Sequence, residues 1–177
     1  DMDVVISNMP PADRSTHVPT TLYKNLLIET GSPNFENASK EANLFRKNVP
    51  NDQEIGGIGN TGAGVAWADF DNDGDLDLYW KCAEYDLDNA LFRNNGDATF
   101  TDITEESGTG ILDMVTEANS QGSPNWTDVN QDGLIDLLVT NEGDRQIILL
   151  NQGYSTYKHI TTPLTPPSAT AFLNPVI

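Results

Sequence analysis

At 177 residues and 37% hydrophobic content the chain can bury a core in one domain, and its single cysteine, Cys82, excludes an internal disulfide. A net charge of −18, from 9 basic against 27 acidic residues, argues against a nucleic-acid partner, whose phosphates need lysine and arginine. No run of about 18 apolar residues exists, so no membrane-spanning helix is expected.

The chain opens at Asp1 with neither an initiator methionine nor a signal peptide, as expected of a processed product or a piece of a longer chain. Asp3 is followed by Val4-Val5-Ile6, a short apolar run predicted as a strand. Pro10, Pro11 and Pro19 among serines and threonines mark a surface loop. Leu22-Tyr23-Lys24-Asn25 is a second predicted strand, Gly31-Ser32-Pro33-Asn34 a turn, and Phe35 begins a further strand. Residues 39–60 form a connector. Gly57-Ile58-Gly59-Asn60-Thr61-Gly62 fits G-x-G-x-x-G, but a dinucleotide site needs a strand before it and a helix after it. Here a strand follows, so a loop leading into that strand is expected instead.

Asp69-Phe70-Asp71-Asn72-Asp73-Gly74-Asp75-Leu76-Asp77 is the most informative stretch. Side-chain oxygens stand at relative positions 1, 3, 5 and 9, and alternate residues of a tight loop can all point inward at a hard cation. Gly74 permits the sharp turn, and Asp75 at position 7 offers its backbone carbonyl. The loop is not an EF-hand, because position 12 is Trp80 rather than glutamate and no helix pattern flanks it. Leu78-Tyr79-Trp80 follows as a predicted strand. Leu91-Phe92-Arg93-Asn94 is the next, Asn95-Gly96-Asp97 a hairpin turn, and Phe100-Thr101-Asp102-Ile103 alternates as a half-buried strand should.

After a connector over 105–122, in which Ile111–Val115 is either a short strand or a helical turn, the pattern returns. Asp128-Val129-Asn130-Gln131-Asp132-Gly133-Leu134-Ile135-Asp136 repeats the spacing 59 residues later, with Asn130 at position 3 and the Leu134 carbonyl at position 7. Trp67 and Trp126 each precede their loop by two residues, and Leu137-Leu138-Val139 follows the second loop as Leu78-Tyr79-Trp80 follows the first. Ile148-Leu149-Leu150-Asn151, Gln152-Gly153 and Tyr157 complete the parallel. Laid on these repeats, Asp3 matches Asp77 and Asp136, so it is the last ligand of an incomplete third loop. The unit is about 60 residues long and holds four short antiparallel strands.

The expected fold is therefore all-β, with β-propeller-like four-stranded antiparallel blades, two complete and one partial. The divisions fall at 1–50, 51–107, 108–162 and a Pro/Thr-rich linker with an apolar end at 163–177. That linker is a spacer or a site of O-glycosylation. Asn37-Ala38-Ser39 and Asn125-Trp126-Thr127 match the N-glycosylation sequon. His17 and His159 lie in no metal or nucleophile motif, and Trp67, Trp126 and Phe100 recur as core residues.

The run Val65–Tyr79 followed by Asn89–Thr104 resembles the FG-GAP/VCBS repeat family, that of the integrin α-chain propeller and of many bacterial surface proteins. The resemblance covers most of residues 1–162. It implies Asp69, Asp71, Asp73 and Asp77 as side-chain ligands of one calcium ion, and Asp128, Asn130, Asp132 and Asp136 of a second. The sequence departs from the family in holding too few blades to close a ring. The function expected is a non-enzymatic, calcium-stabilised extracellular or cell-surface module for adhesion or assembly. Its partner is then a protein, a glycan, or a copy of itself joined by strand addition. The alternatives are a repeating subunit of an extracellular, glycosylated filament joined by strand exchange through 171–177, and an accessory propeller of a larger secreted enzyme.

Overall fold

A computed structural model describes residues 3–8, 19–46, 57–58, 62–82, 89–110, 122–140 and 146–161. They form three antiparallel sheets. The first holds β1 (Val4–Ile6), β2 (Thr21–Asn25) and β3 (Phe35–Asn37), in that order. The second holds β4 (Gly62–Ala68), β5 (Asp77–Cys82), β6 (Ala90–Asn94) and β7 (Phe100–Asp102) as a simple meander. The third repeats it with β8 (Pro124–Thr127), β9 (Asp136–Val139), β10 (Ile147–Asn151) and β11 (Tyr157–Thr161). The chain is thus all-β and blade-like, as the repeat predicts, and among the described residues the first sheet has no counterpart of β4 and β8. The Pro/Thr-rich linker, the apolar end at 171–177, the stretch 111–115 and His17 lie outside the described residues.

Two short helices were not legible in the sequence. The link between β2 and β3 contains α1 (Leu27–Thr30) as well as the turn at Gly31, and α2 (Thr104–Ser107) follows β7. Both are single turns stopped by a glycine in the left-handed region, Gly31 at φ 70° and Gly108 at φ 70°. Four residues are too few for a helical period to emerge from the pattern.

β5 is the centre of the molecule and is buried at every position. Successive strand residues point to opposite faces, so a strand buried throughout must be covered on both. Leu78, Trp80 and Cys82 enter one core with Phe92 and Phe100, where they meet Leu22, Leu44 and Ile58 from the first sheet and its connectors. Tyr79, on the other face, enters a second core with Phe70 and Leu91, against Leu137, Val139 and Leu149 of the third sheet. The sheets therefore stack face to face, with the second between the others. Trp80 donates from Nε1 to Thr20 Oγ1 at 2.9 Å, and the Arg46 guanidinium lies 4.9 Å over its ring. Of the recurrent aromatics, Phe100 is buried, while Trp67 and Trp126 are half-buried along the edges of the two cores.

The glycine-rich run places Ile58 against Thr20 in an isolated antiparallel bridge, with backbone bonds of 3.0 and 3.1 Å. A Cβ on Gly57 would stand 2.5 Å from the Thr20 carbonyl oxygen. Close backbone approach accounts for this glycine, and Gly62 starts a strand rather than a helix.

Candidate metal centre

Each aspartate-rich loop joins the first two strands of a complete sheet. In the first loop Asp69 organises the turn, with Oδ1 accepting the Asp73 N–H and Oδ2 the Gly74 N–H, both at 3.0 Å. Asn72 at φ 60° and Gly74 at φ 98° coil the chain around those bonds. A φ near 98° is open to glycine and strained for other residues, which explains the sequence at that position. The second loop has the same form. Asp128 accepts from Asp132 N at 3.2 Å and Gly133 N at 3.0 Å, with Gln131 at φ 62° and Gly133 at φ 88°.

Asp77, the first residue of β5, is fully buried. Its Oδ2 accepts the Phe70 N–H at 3.1 Å and its Oδ1 the Asn94 N–H at 2.8 Å. Asp136 repeats both contacts, accepting from Val129 N at 3.0 Å and Asn151 N at 2.8 Å. Asp3 Oδ1 accepts the Asn25 N–H at 3.0 Å. The three aspartates aligned by the repeat thus occupy one place in three sheets.

The fold brings oxygens of Asp69, Asp71 and Asp77 within 4.8 Å of one another. Asp71 Oδ1 is buried and has no hydrogen-bond partner. Burial pushes the Asp77 carboxyl up to about 7, with smaller contributions from Asp71 and Asp73. Burial also raises Asp71, and the neighbouring Asp73 carboxylate adds to the shift. A buried, unsatisfied carboxylate oxygen among like charges costs free energy unless a cation answers it. An all-oxygen set on a curved loop suits a hard ion of flexible coordination such as calcium. The residues present therefore fit the ion.

Asp73 stands outside the trio, its Oδ1 accepting the Asp75 N–H at 3.0 Å. The Asp75 carboxylate reaches the Gly96 turn, its Oδ2 lying 2.8 Å from where a Cβ on Gly96 would be. In the second loop Asn130 replaces Asp71. Its Oδ1 accepts Asp132 N at 3.0 Å, and its Nδ2 donates to Asp132 Oδ2 at 2.8 Å. Asp132 Oδ1 accepts the Leu134 N–H at 2.9 Å, as Asp73 serves Asp75.

The asparagines that end β2, β6 and β10 carry a role that strand patterning did not assign. Asn25, Asn94 and Asn151 each donate their N–H to the last loop aspartate. Asn151 also donates from Nδ2 to the Ile135 carbonyl at 3.2 Å and to the Phe70 carbonyl at 3.0 Å, so it ties the two loops together. The repetition of asparagine in these places was the available signal. Elsewhere, His159 in β11 contacts the Gly108 carbonyl, a structural bond remote from the loops.

Residues 23–80 match the family model described as FG-GAP-like repeat. The chain carries an FG-GAP-like repeat. The matched FG-GAP-like segment runs from β2 to β5 and includes the whole first loop. It crosses from the first sheet to the second, so the family unit is offset from the sheet. A search of curated proteins finds no match.

Proposed function

We propose that this chain is a calcium-stabilised, non-enzymatic β-repeat module of the cell exterior, serving adhesion or assembly. Its calcium ligands are Asp69, Asp71, Asp73, Asp77 and the Asp75 carbonyl in one loop, and Asp128, Asn130, Asp132, Asp136 and the Leu134 carbonyl in the other. Asp3 belongs to a third, incomplete set. The observation that carries the proposal is the buried Asp71 oxygen, without a partner, in a trio of carboxylates that closes to within 4.8 Å. No described helix is long and apolar enough to cross a membrane. With a lone cysteine, calcium is the available staple, and millimolar calcium outside cells suits loop sites of roughly 10⁻⁴–10⁻³ M.

The physical role is rigid display. The cation pins each loop, the loop fixes the start of a buried strand, and the stacked sheets hold the surface in place. The test is a thermal melt. A ligand that binds only the native state stabilises it by about 2.7 kcal/mol at a hundredfold excess over its dissociation constant. Millimolar calcium should raise the melting temperature and a chelator lower it. A melt that is the same in both would overturn the calcium assignment.

A further inference from the structure

Tyr157 carries a hydroxyl that the repeat does not require. Phe35, Phe100 and Tyr157 each pair with the asparagine that ends the preceding strand, Asn25, Asn94 and Asn151. They hold one place in three sheets, and two of them are phenylalanine. Phe100 enters the first core, and Tyr157 enters the second with 9% of its surface exposed. The Tyr157 hydroxyl is buried and has no hydrogen-bond partner among the described residues. A buried hydroxyl without a partner costs free energy, and phenylalanine avoids that cost. The added oxygen therefore calls for a partner.

The fold carries Tyr157 to the first loop. Its ring, on the side of the third sheet that faces the second, lies 6.2 Å from the ring of Phe70, the residue between Asp69 and Asp71. Asn151, its pair on β10, donates to the Phe70 carbonyl and to Asp136. Burial pushes the Tyr157 hydroxyl up, and the carboxylates of Asp77, Asp136 and Asp71 add to the shift. The hydroxyl thus stands near carboxylates of both loops and stays protonated, a donor. Asp71 Oδ1, an acceptor, is likewise buried without a partner. A cavity of about 350 Å³, lined by Asp71, Asp73, Asn151 and Gly153 among others, opens between the first loop and the β10–β11 turn. Its polar walls give water a place beside the ligand set.

We propose that Tyr157 is an outer-sphere residue of the first calcium site, contributed by the neighbouring sheet, with its hydroxyl donating to water held at Asp71. The site then spans two sheets, its ligands on the second and this donor on the third. Outer-sphere groups orient ligands and tune affinity for the ion. The inference rests on the calcium assignment of the proposed function.

The test is a calcium titration of the 177-residue chain and its Tyr157→Phe variant. Both are also titrated with Asp132→Ala, which leaves the first loop to bind, and with Asp71→Ala, which leaves the second. Tyr157→Phe should weaken binding about tenfold at the first loop and leave the second unchanged. In excess chelator it should melt no lower than wild type, because it removes an unpartnered hydroxyl and restores the ring found at this place in the other sheets. Unchanged affinity at the first loop would overturn the proposal. So would an equal fall at both loops, or a variant already destabilised in chelator, which would make the hydroxyl a packing group independent of metal. In the wild-type chain, nuclear magnetic resonance of ring-labelled tyrosine should show the Tyr157 signal shift on calcium addition, and a Tyr157 signal that ignores bound calcium would also overturn it. A wild-type chain that binds no calcium overturns the calcium assignment itself, so the two failures are distinct.

Discussion

Asp71 and Asp77 sit in one loop and do different work. Asp77 accepts two backbone N–H groups and holds the start of β5. Asp77→Ala leaves those donors without their acceptor, and should cost about 2 kcal/mol in denaturant unfolding even without metal. Asp71 Oδ1 has no hydrogen-bond partner to lose. Its carboxylate takes only a share of the Asp73 N–H, which Asp69 Oδ1 also accepts, so Asp71→Ala should cost the metal-free chain less than Asp77→Ala, about 1 kcal/mol or under, while abolishing calcium stabilisation at that loop. Equal losses for both variants in chelator would contradict this division. The Asp77 carboxyl, raised by burial to about 7, also links calcium to protons. Its metal-free folded pKa exceeds the ordinary value of 3.8, so the metal-free fold takes up a proton between pH 4 and 7. Its stabilising effect is complete below pH 4 and is lost as pH rises through 7. Calcium needs the ionised form and displaces that proton. Calorimetry at pH 6 in buffers of different ionisation heat should show proton release that fades above pH 8, and affinity that rises with pH over the same window.

At the scale of elements, most of the fold was legible because one pattern was written twice in full. Two loops of identical spacing fixed where β5 and β9 begin, and strand alternation supplied the rest. α1 and α2 were not legible, since a single helical turn leaves no period. The role of Asn151 was hidden for another reason: its bond to the Phe70 carbonyl spans 81 residues of sequence. No local pattern reports a contact between sheets. Asn151→Ala removes the amide bonds to Phe70 and Ile135 and should lower stability by about 1–3 kcal/mol. It should also weaken calcium binding at both loops, because both lose a brace. Asn94, whose Nδ2 donates to the Leu76 carbonyl of its own loop and whose Oδ1 accepts the Gly96 N–H, provides the control: Asn94→Ala should weaken the first loop alone. A matching pair of titrations reads both effects. Tyr79, buried between the second and third sheets, and Tyr154, fully exposed, bracket the scale of packing. Tyr79→Ala should cost about 3–5 kcal/mol and Tyr154→Ala less than about 0.5.

For the molecule as a whole, charge and metal are one subject. The chain carries −18, with nine aspartates in its two complete loops and at Asp3, and folds them onto the margins of its cores. The two calcium ions proposed above would remove part of that repulsion where it is densest. The sequence showed the two loops and the order of their acidic residues. It did not show that Asp71 is left with a bare oxygen or that Asp73 stands apart, because both depend on how the loop closes. The most direct measurement is a calcium titration of the wild-type chain beside Asp71→Ala. Two ions per wild-type chain and one per variant chain are expected. A wild-type chain that binds no calcium, or a variant that still binds two ions, would contradict the central claim.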